Sequence, residues 1–171
     1  FSKTFLLKLK KTKFNNNSKV FLAVGFSFLL ILSYFLIPTT YNKENIKQNI
    51  KNQILKKYNI DIQFNNNVTY ALLPRPHFTT KELSIIRNNK KIGEVKTFRA
   101  FISIDKLFFF QNFELKDLIL SKTDFNIKKD DLIFFENLLK TEASKNKIIL
   151  RNSNIFFENF DGEVLFINKI K

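Results

Sequence analysis

The residue types that carry out chemistry in enzymes are thinly represented in this chain. His77 is its only histidine and lies between Pro76 and Phe78, so neither a histidine metal cluster nor a histidine-based triad can be assembled. Its setting suits a surface or turn histidine. Cysteine is absent, which excludes disulfides and thiolate metal sites without fixing a redox compartment. Gly25, Gly93 and Gly162 are the only glycines, too few for a phosphate loop or a dinucleotide fingerprint. The neighbouring carboxylates Asp130 and Asp131 fit a helix cap better than general acid/base work. No catalytic residue, metal or cofactor is expected, and the chain is not expected to be an enzyme by itself.

What the sequence offers instead is apolar surface. Val20 to Ile37 is a run of eighteen residues without a charge, which as a helix rising about 1.5 Å per residue would reach roughly 27 Å, near the thickness of a bilayer's hydrocarbon. Pro38 follows, where a helix can stop. A secretory signal would have a shorter apolar core and small residues at a cleavage site, and Ile37-Pro38-Thr39-Thr40-Tyr41 has none. The segment 20–37 is therefore expected to be an uncleaved transmembrane helix. Lys3, Lys8, Lys10, Lys11, Lys13 and Lys19 precede it with no acidic residue, which predicts a cytoplasmic flank over 1–19. Lys43, Lys47 and Lys51 on the far side reduce the contrast. Everything after Thr40 is expected to lie outside the cytoplasm as one domain over 41–171.

A net charge of +14 invites a nucleic-acid partner. Six of the 29 basic residues belong to the N-terminal flank, however, leaving 23 against 15 acidic residues. Lys, Asn, Ile and Phe are used heavily together, with 22 Phe and 21 Asn, a pattern that A/T-rich codons also produce. No ribonucleoprotein motif, zinc finger or basic helix is present. Membrane lipids, with anionic headgroups, are the better partner for a basic protein held at a membrane, and no nucleic acid is expected.

The elements that must present this surface are legible from periodicity. Ile46, Ile50 and Ile54 recur every fourth residue over Lys43 to Tyr58, with Leu55 alongside, which predicts a short amphipathic helix. It could lie on a membrane surface or pack its isoleucine stripe on the following sheet. From Ile60 the period becomes two. Strands are predicted at Ile60 to Phe64, Val68 to Leu72, Phe78 to Arg87 and Val95 to Asp105, with turns at Asn65-Asn66-Asn67 and Asn88-Asn89. Phe98, Ala100, Ile102 and Ile104 share one face. A long strand from Phe113 to Ile127 places Phe113, Leu115, Ile119, Phe125 and Ile127 on one side and Leu118 and Leu120 on the other. A second helix is predicted from Asp130 to Thr141, with Leu132, Phe135, Leu138 and Leu139 as its stripe. Strands return at Ile148 to Phe157 and Val164 to Ile170, joined through Asp161-Gly162. The fold class is mainly β with two helices (α+β), an N-terminal transmembrane helix leading into a curved antiparallel sheet that forms the start of a hydrophobic groove.

The order of these elements resembles the N-terminal region of the AsmA family. The resemblance rests on the anchor, the short helix, the stretch Leu73-Pro74-Arg75-Pro76-His77-Phe78 before Leu83-Ser84-Ile85, and the patch over Phe98 to Phe110 with Ile102, Ile104, Leu107 and Phe108. Phe113 to Ile127, and Ile148 to Phe157 with Asn152 and Asn154, continue it, so that it covers about residues 15 to 160. Thr123 departs from the family pattern, standing where a proline is often found. The resemblance implies an inner-membrane anchor with a periplasmic body, similar to bridge-like proteins that carry phospholipid between inner and outer membranes and serve outer-membrane assembly. Phe98, Ile102, Ile104, Phe113, Leu115 and Ile119 are then the lipid-groove candidates. Envelope proteins are further expected partners if the chain is a tethered scaffold, and an anchor segment of a larger enzyme is the third reading.

Overall fold

The computed structural model describes residues 16–106, 113–133, 147–158, 161 and 163–170. Lys3, Lys8, Lys10, Lys11, Lys13, Leu107, Phe108, Phe135, Leu138, Leu139, Thr141 and Gly162 lie outside the described residues. The chain forms two units, 1–35 and 36–171.

The described part of the first unit lies in helix α1, Asn16–Leu36. Its apolar run is long enough to cross a membrane, and its side chains are exposed from Asn17 to Ile31, with Leu32, Tyr34 and Phe35 half-buried. In the second unit, a 3₁₀ turn over Ile37–Thr40 starts with Pro38 in its first turn, where a missing N–H is harmless. Helix α2, Lys43–Tyr58, follows. Its ends are set locally. The Asn42 side chain accepts from the N–H groups of Glu44 (2.9 Å) and Asn45 (3.2 Å). Asn59 closes the other end in the left-handed conformation, φ 54°, donating its N–H to Leu55 O. Lys56 and Lys57 occupy the last turn, where cations oppose the helix dipole.

Among the described residues eight strands make one open sheet: β1 Asp61–Phe64, β2 Thr69–Ala71, β3 His77–Arg87, β4 Lys90–Ile102, β5 Leu115–Lys128, β6 Ile148–Arg151, β7 Ser153–Glu158 and β8 Val164–Ile170. The order is β1-β3-β4-β5-β7-β8, with β2 beside β3 and β6 beside β5. β3 and β4 are joined by the two-residue turn Asn88-Asn89, both at positive φ, the conformation that matches strand twist in a tight hairpin. The class is α+β and the sheet mostly antiparallel.

The sheet is mainly antiparallel, as expected, and departs from that at one place, where β6 and β7 both run parallel to β5. The chain leaves β5, travels through residues 129–147 and re-enters in the same direction, the long crossover that parallel neighbours require. Within that crossover, a 3₁₀ turn over Lys129–Asp131 runs into helical backbone at Leu132. The rest of the helix predicted to Thr141 lies outside the described residues. The strand predicted over Ile148 to Phe157 is likewise two strands, broken at Asn152.

That break belongs to a crease across the sheet. Glu82 on β3, Lys122 on β5 and Asn152 between β6 and β7 all have positive φ, at 54°, 53° and 49°. Register aligns them in one row through Lys96 of β4. The interruption between β1 and β2 meets the same row, where Asn65 N–H donates to Glu82 O. At the crease the inward phase of every strand shifts. Thr80, Phe98 and Leu120 point to the inner face on one side of it, and Leu83, Val95 and Thr123 on the other. Thr123 is fully buried with its Oγ1 lacking a hydrogen-bond partner. Thr123→Val is therefore expected to raise stability by about 1 kcal/mol, read as a higher urea midpoint at unchanged slope.

Candidate functional site

The inner face of the sheet carries buried apolar side chains, Phe78, Phe98 and Phe113 among them, and α2 covers it. Lys51 of α2 bridges Asp61 of β1 at 3.0 Å. From the other side of the same helix, Gln53 and Lys57 reach the entry to β5. Gln53 Nε2 donates to Phe113 O at 2.6 Å, and its Oε1 accepts from Leu115 N–H at 2.9 Å. One side-chain amide thus stands in for a neighbouring peptide group at the end of a strand. Lys57 Nζ adds a bond to Leu115 O at 2.9 Å. With one side tied to β1 and the other to β5, α2 lies over β3 and β4 between them, and its Ile46, Ile50 and Ile54 are buried. Of the two roles open to this helix, the structure shows packing on the sheet. Gln53 carried no signal in the sequence, because its partners lie about 60 residues away.

The six groove candidates fall in three places. Phe98, Ile102, Phe113 and Leu115 are buried on the inner face. Phe113 stacks against Tyr41 with ring centroids 6.5 Å apart and tilts onto Phe78 at 4.7 Å, while Phe98 meets Phe64 edge-on at 6.3 Å. Ile104 is not on the strand with Phe98 and Ala100. β4 ends at Ile102, and Ile104 opens a 3₁₀ turn with 45% of its surface exposed. Ile119 is buried, but it pairs with Arg99 and Ile149, on the outer face. Leu118 and Leu120 take the inner positions beside Phe125 and Ile127 that alternation from Phe113 had assigned to Ile119. The cause is a bulge in β5 that shifts the register between the Ile102–Leu115 and Ala100–Leu118 pairs.

His77 is buried rather than superficial. It opens β3 on the outer face, 5.0 Å from the ring of Phe101, and its Nδ1 lies 2.7 Å from Arg75 O. A carbonyl only accepts, so Nδ1 carries the proton. The Arg75 guanidinium covers the same Phe101 ring at 4.4 Å and pairs with Asp117 at 3.1 Å. The cluster closes one corner of the sheet and holds no nucleophile. Among the described residues no group of three His, Cys, Asp or Glu side chains could hold a metal ion.

Titration behaviour follows burial and pairing. Burial, helped by the neighbouring Tyr41, pushes the Tyr70 phenol up to about 12. Burial and then the charge of Asp117 raise Tyr58. The hydrogen bond between Lys106 and Glu114, 2.6 Å long, holds the amine above and the carboxyl below their ordinary ranges.

At the opposite edge the sheet is less enclosed. Among the described residues β8 pairs only with β7, and Val164, Leu165 and Ile167 along it are at least half exposed. β8 bulges at Leu165, and register sets Val164 opposite Glu158 and Ile167 opposite Phe156, two positions apart on β7, so Val164 and Ile167 open on the same face.

No family model matches the chain, and no solved structure matches it. A probable serine/threonine-protein kinase of Dictyostelium discoideum is 28% identical over 153 residues, which cover 84% of this chain and 11% of that protein. The chain thus spans about a tenth of the length of the curated relative it matches.

Proposed function

We propose that this chain is a membrane-anchored, AsmA-like module that hands phospholipid from the inner membrane to an apolar β-surface leading toward the outer membrane. Its N-terminus is cytoplasmic and its sheet domain periplasmic. The observation that supports this reading is the joining of an apolar, membrane-length helix to an open sheet whose last strand exposes Val164, Leu165 and Ile167. Acyl chains crossing water need a continuous nonpolar surface, since each exposed CH₂ costs about 0.8 kcal/mol. With α2 in place, Ile104 beyond the end of β4 and the β8 edge are two separate places where apolar side chains are open to lipid. Phe98, Ile102, Phe113 and Leu115 reach lipid only when α2 lifts.

Photo-crosslinking amino acids at Ile102, Ile104 and Leu165 test the reading in cells. Phospholipid adducts at Ile104 and Leu165 but not Ile102 are the expected result, and adducts at Ile102 would show that α2 moves aside. Adducts to protein alone at all three would sink lipid transfer. They would favour the second reading, a tethered scaffold that binds an envelope protein by strand addition to the open edge of β8.

A further inference from the structure

The outer face of the sheet carries the charge that the inner face lacks. At the crease the shift in phase turns two consecutive residues outward on each strand, where a regular strand would turn one. Lys81 and Glu82 on β3, Lys96 on β4, Lys122 on β5 and Arg151 on β6 are all exposed there. Register sets Lys96 and Lys122 side by side, between the pairs Val95–Thr123 and Thr97–Ser121. Like charges opposite one another on a sheet are destabilising. Glu82 stands opposite Lys96 on its other side, beyond ion-pair distance of it, and its carboxylate accepts from Asn66 Nδ2 at 3.1 Å. Among the described residues, no ion pair involves Lys81, Lys96, Lys122 or Arg151. Lys122 also holds a positive φ of 53°, a conformation that costs energy for a residue with a side chain. The repulsion between the paired Lys96 and Lys122 is what an anionic partner would relieve.

We propose that this stripe docks the domain on the anionic headgroups of the bilayer that holds α1. The partner must offer negative charge over an area, because the cations span four adjacent strands, about 14 Å at the usual strand spacing. They line an exposed sheet face rather than a pocket. The domain is tethered to that bilayer, since only residues 37–42 separate α1 from α2. A single-stranded nucleic acid would need aromatic platforms for its bases, and Thr97 and Ser121 stand between the cations instead. The proposal rests on membrane anchorage and is independent of lipid transfer.

The chain has no cysteine, so Thr97→Cys gives a unique site for a fluorophore. The full chain would be reconstituted in phosphatidylcholine nanodiscs with or without phosphatidylglycerol, each containing a lipid with a headgroup quencher. Vesicle flotation reports insertion of α1 separately, so a failed anchor is not mistaken for failed docking. Quenching is expected only with phosphatidylglycerol and should disappear at high salt. Lys96→Gln and Lys122→Asn should each lower the docked-to-undocked ratio about fivefold, and together roughly twenty-five-fold. Asn tolerates the positive φ, and Lys81→Gln, at ordinary backbone, replaces Lys122→Asn should that variant unfold. Equal quenching in both lipid compositions, or insensitivity to these substitutions, overturns the proposal. So does protection of the label by a short DNA oligonucleotide with no effect of phosphatidylglycerol, which would assign the stripe to nucleic acid.

Discussion

Phe78→Ala is expected to destabilise the sheet domain by about 3–5 kcal/mol. Phe78 is fully buried, and its ring meets Tyr70 at 5.7 Å and Phe113 at 4.7 Å. Truncation removes the aromatic that links the β2 edge to the entry of β5, beneath the segment that α2 clamps through Gln53. The backbone around the site is fixed by ladders on both sides of β3, so the cavity cannot collapse fully. Against a total stability on the order of 5–15 kcal/mol for a domain, the loss is a large fraction. Urea unfolding followed by near-ultraviolet circular dichroism measures it. Leu73→Ala is the control: Leu73 is 80% exposed and should change stability by less than about 0.5 kcal/mol. A small loss at Phe78 would mean that the inner face is not a packed core, and would return Phe98, Ile102, Phe113 and Leu115 to the open groove expected from the sequence.

Gly93→Val is expected to cost about 1–3 kcal/mol through overpacking. Gly93 faces Phe125 across the β4–β5 ladder, and a Cβ built there would sit 2.9 Å from Phe125 Cδ1 and 3.2 Å from Cε1. The ring lies over the glycine and fills the space a side chain would take, an arrangement that pins strand register. Phe125 is itself buried and cannot swing out without exposing the ring. Phe125→Leu in the Gly93→Val background should recover part of the loss, so the double variant is less destabilised than the two single losses added together. Strict additivity across that cycle would show that the clash is relieved elsewhere, by movement of the β4 backbone.

Much of the fold could be read locally. α1 follows from uninterrupted apolar composition, and α2 from isoleucines at every fourth residue between Asn42, which caps it, and Asn59, which ends it. The Asn88-Asn89 hairpin and the period-two runs from β1 to β8 are likewise properties of neighbouring residues. Each depends on interactions a few residues long, which is why type and position agree with the structure to within a few residues. The candidate site was less legible. Alternation assigns a face only while it is unbroken, and the bulge in β5 exchanged Ile119 for Leu118 and Leu120. The end of β4 at Ile102 took Ile104 out of the sheet. The parallel pairing of β6 and β7 with β5, the choice of α2 as cover, and the meeting of Lys96 with Lys122 are set by contacts between segments far apart in the chain. Periodicity is written residue by residue, whereas the phase of a strand after a bulge, and the neighbour it pairs with, are fixed only when distant strands close on one another.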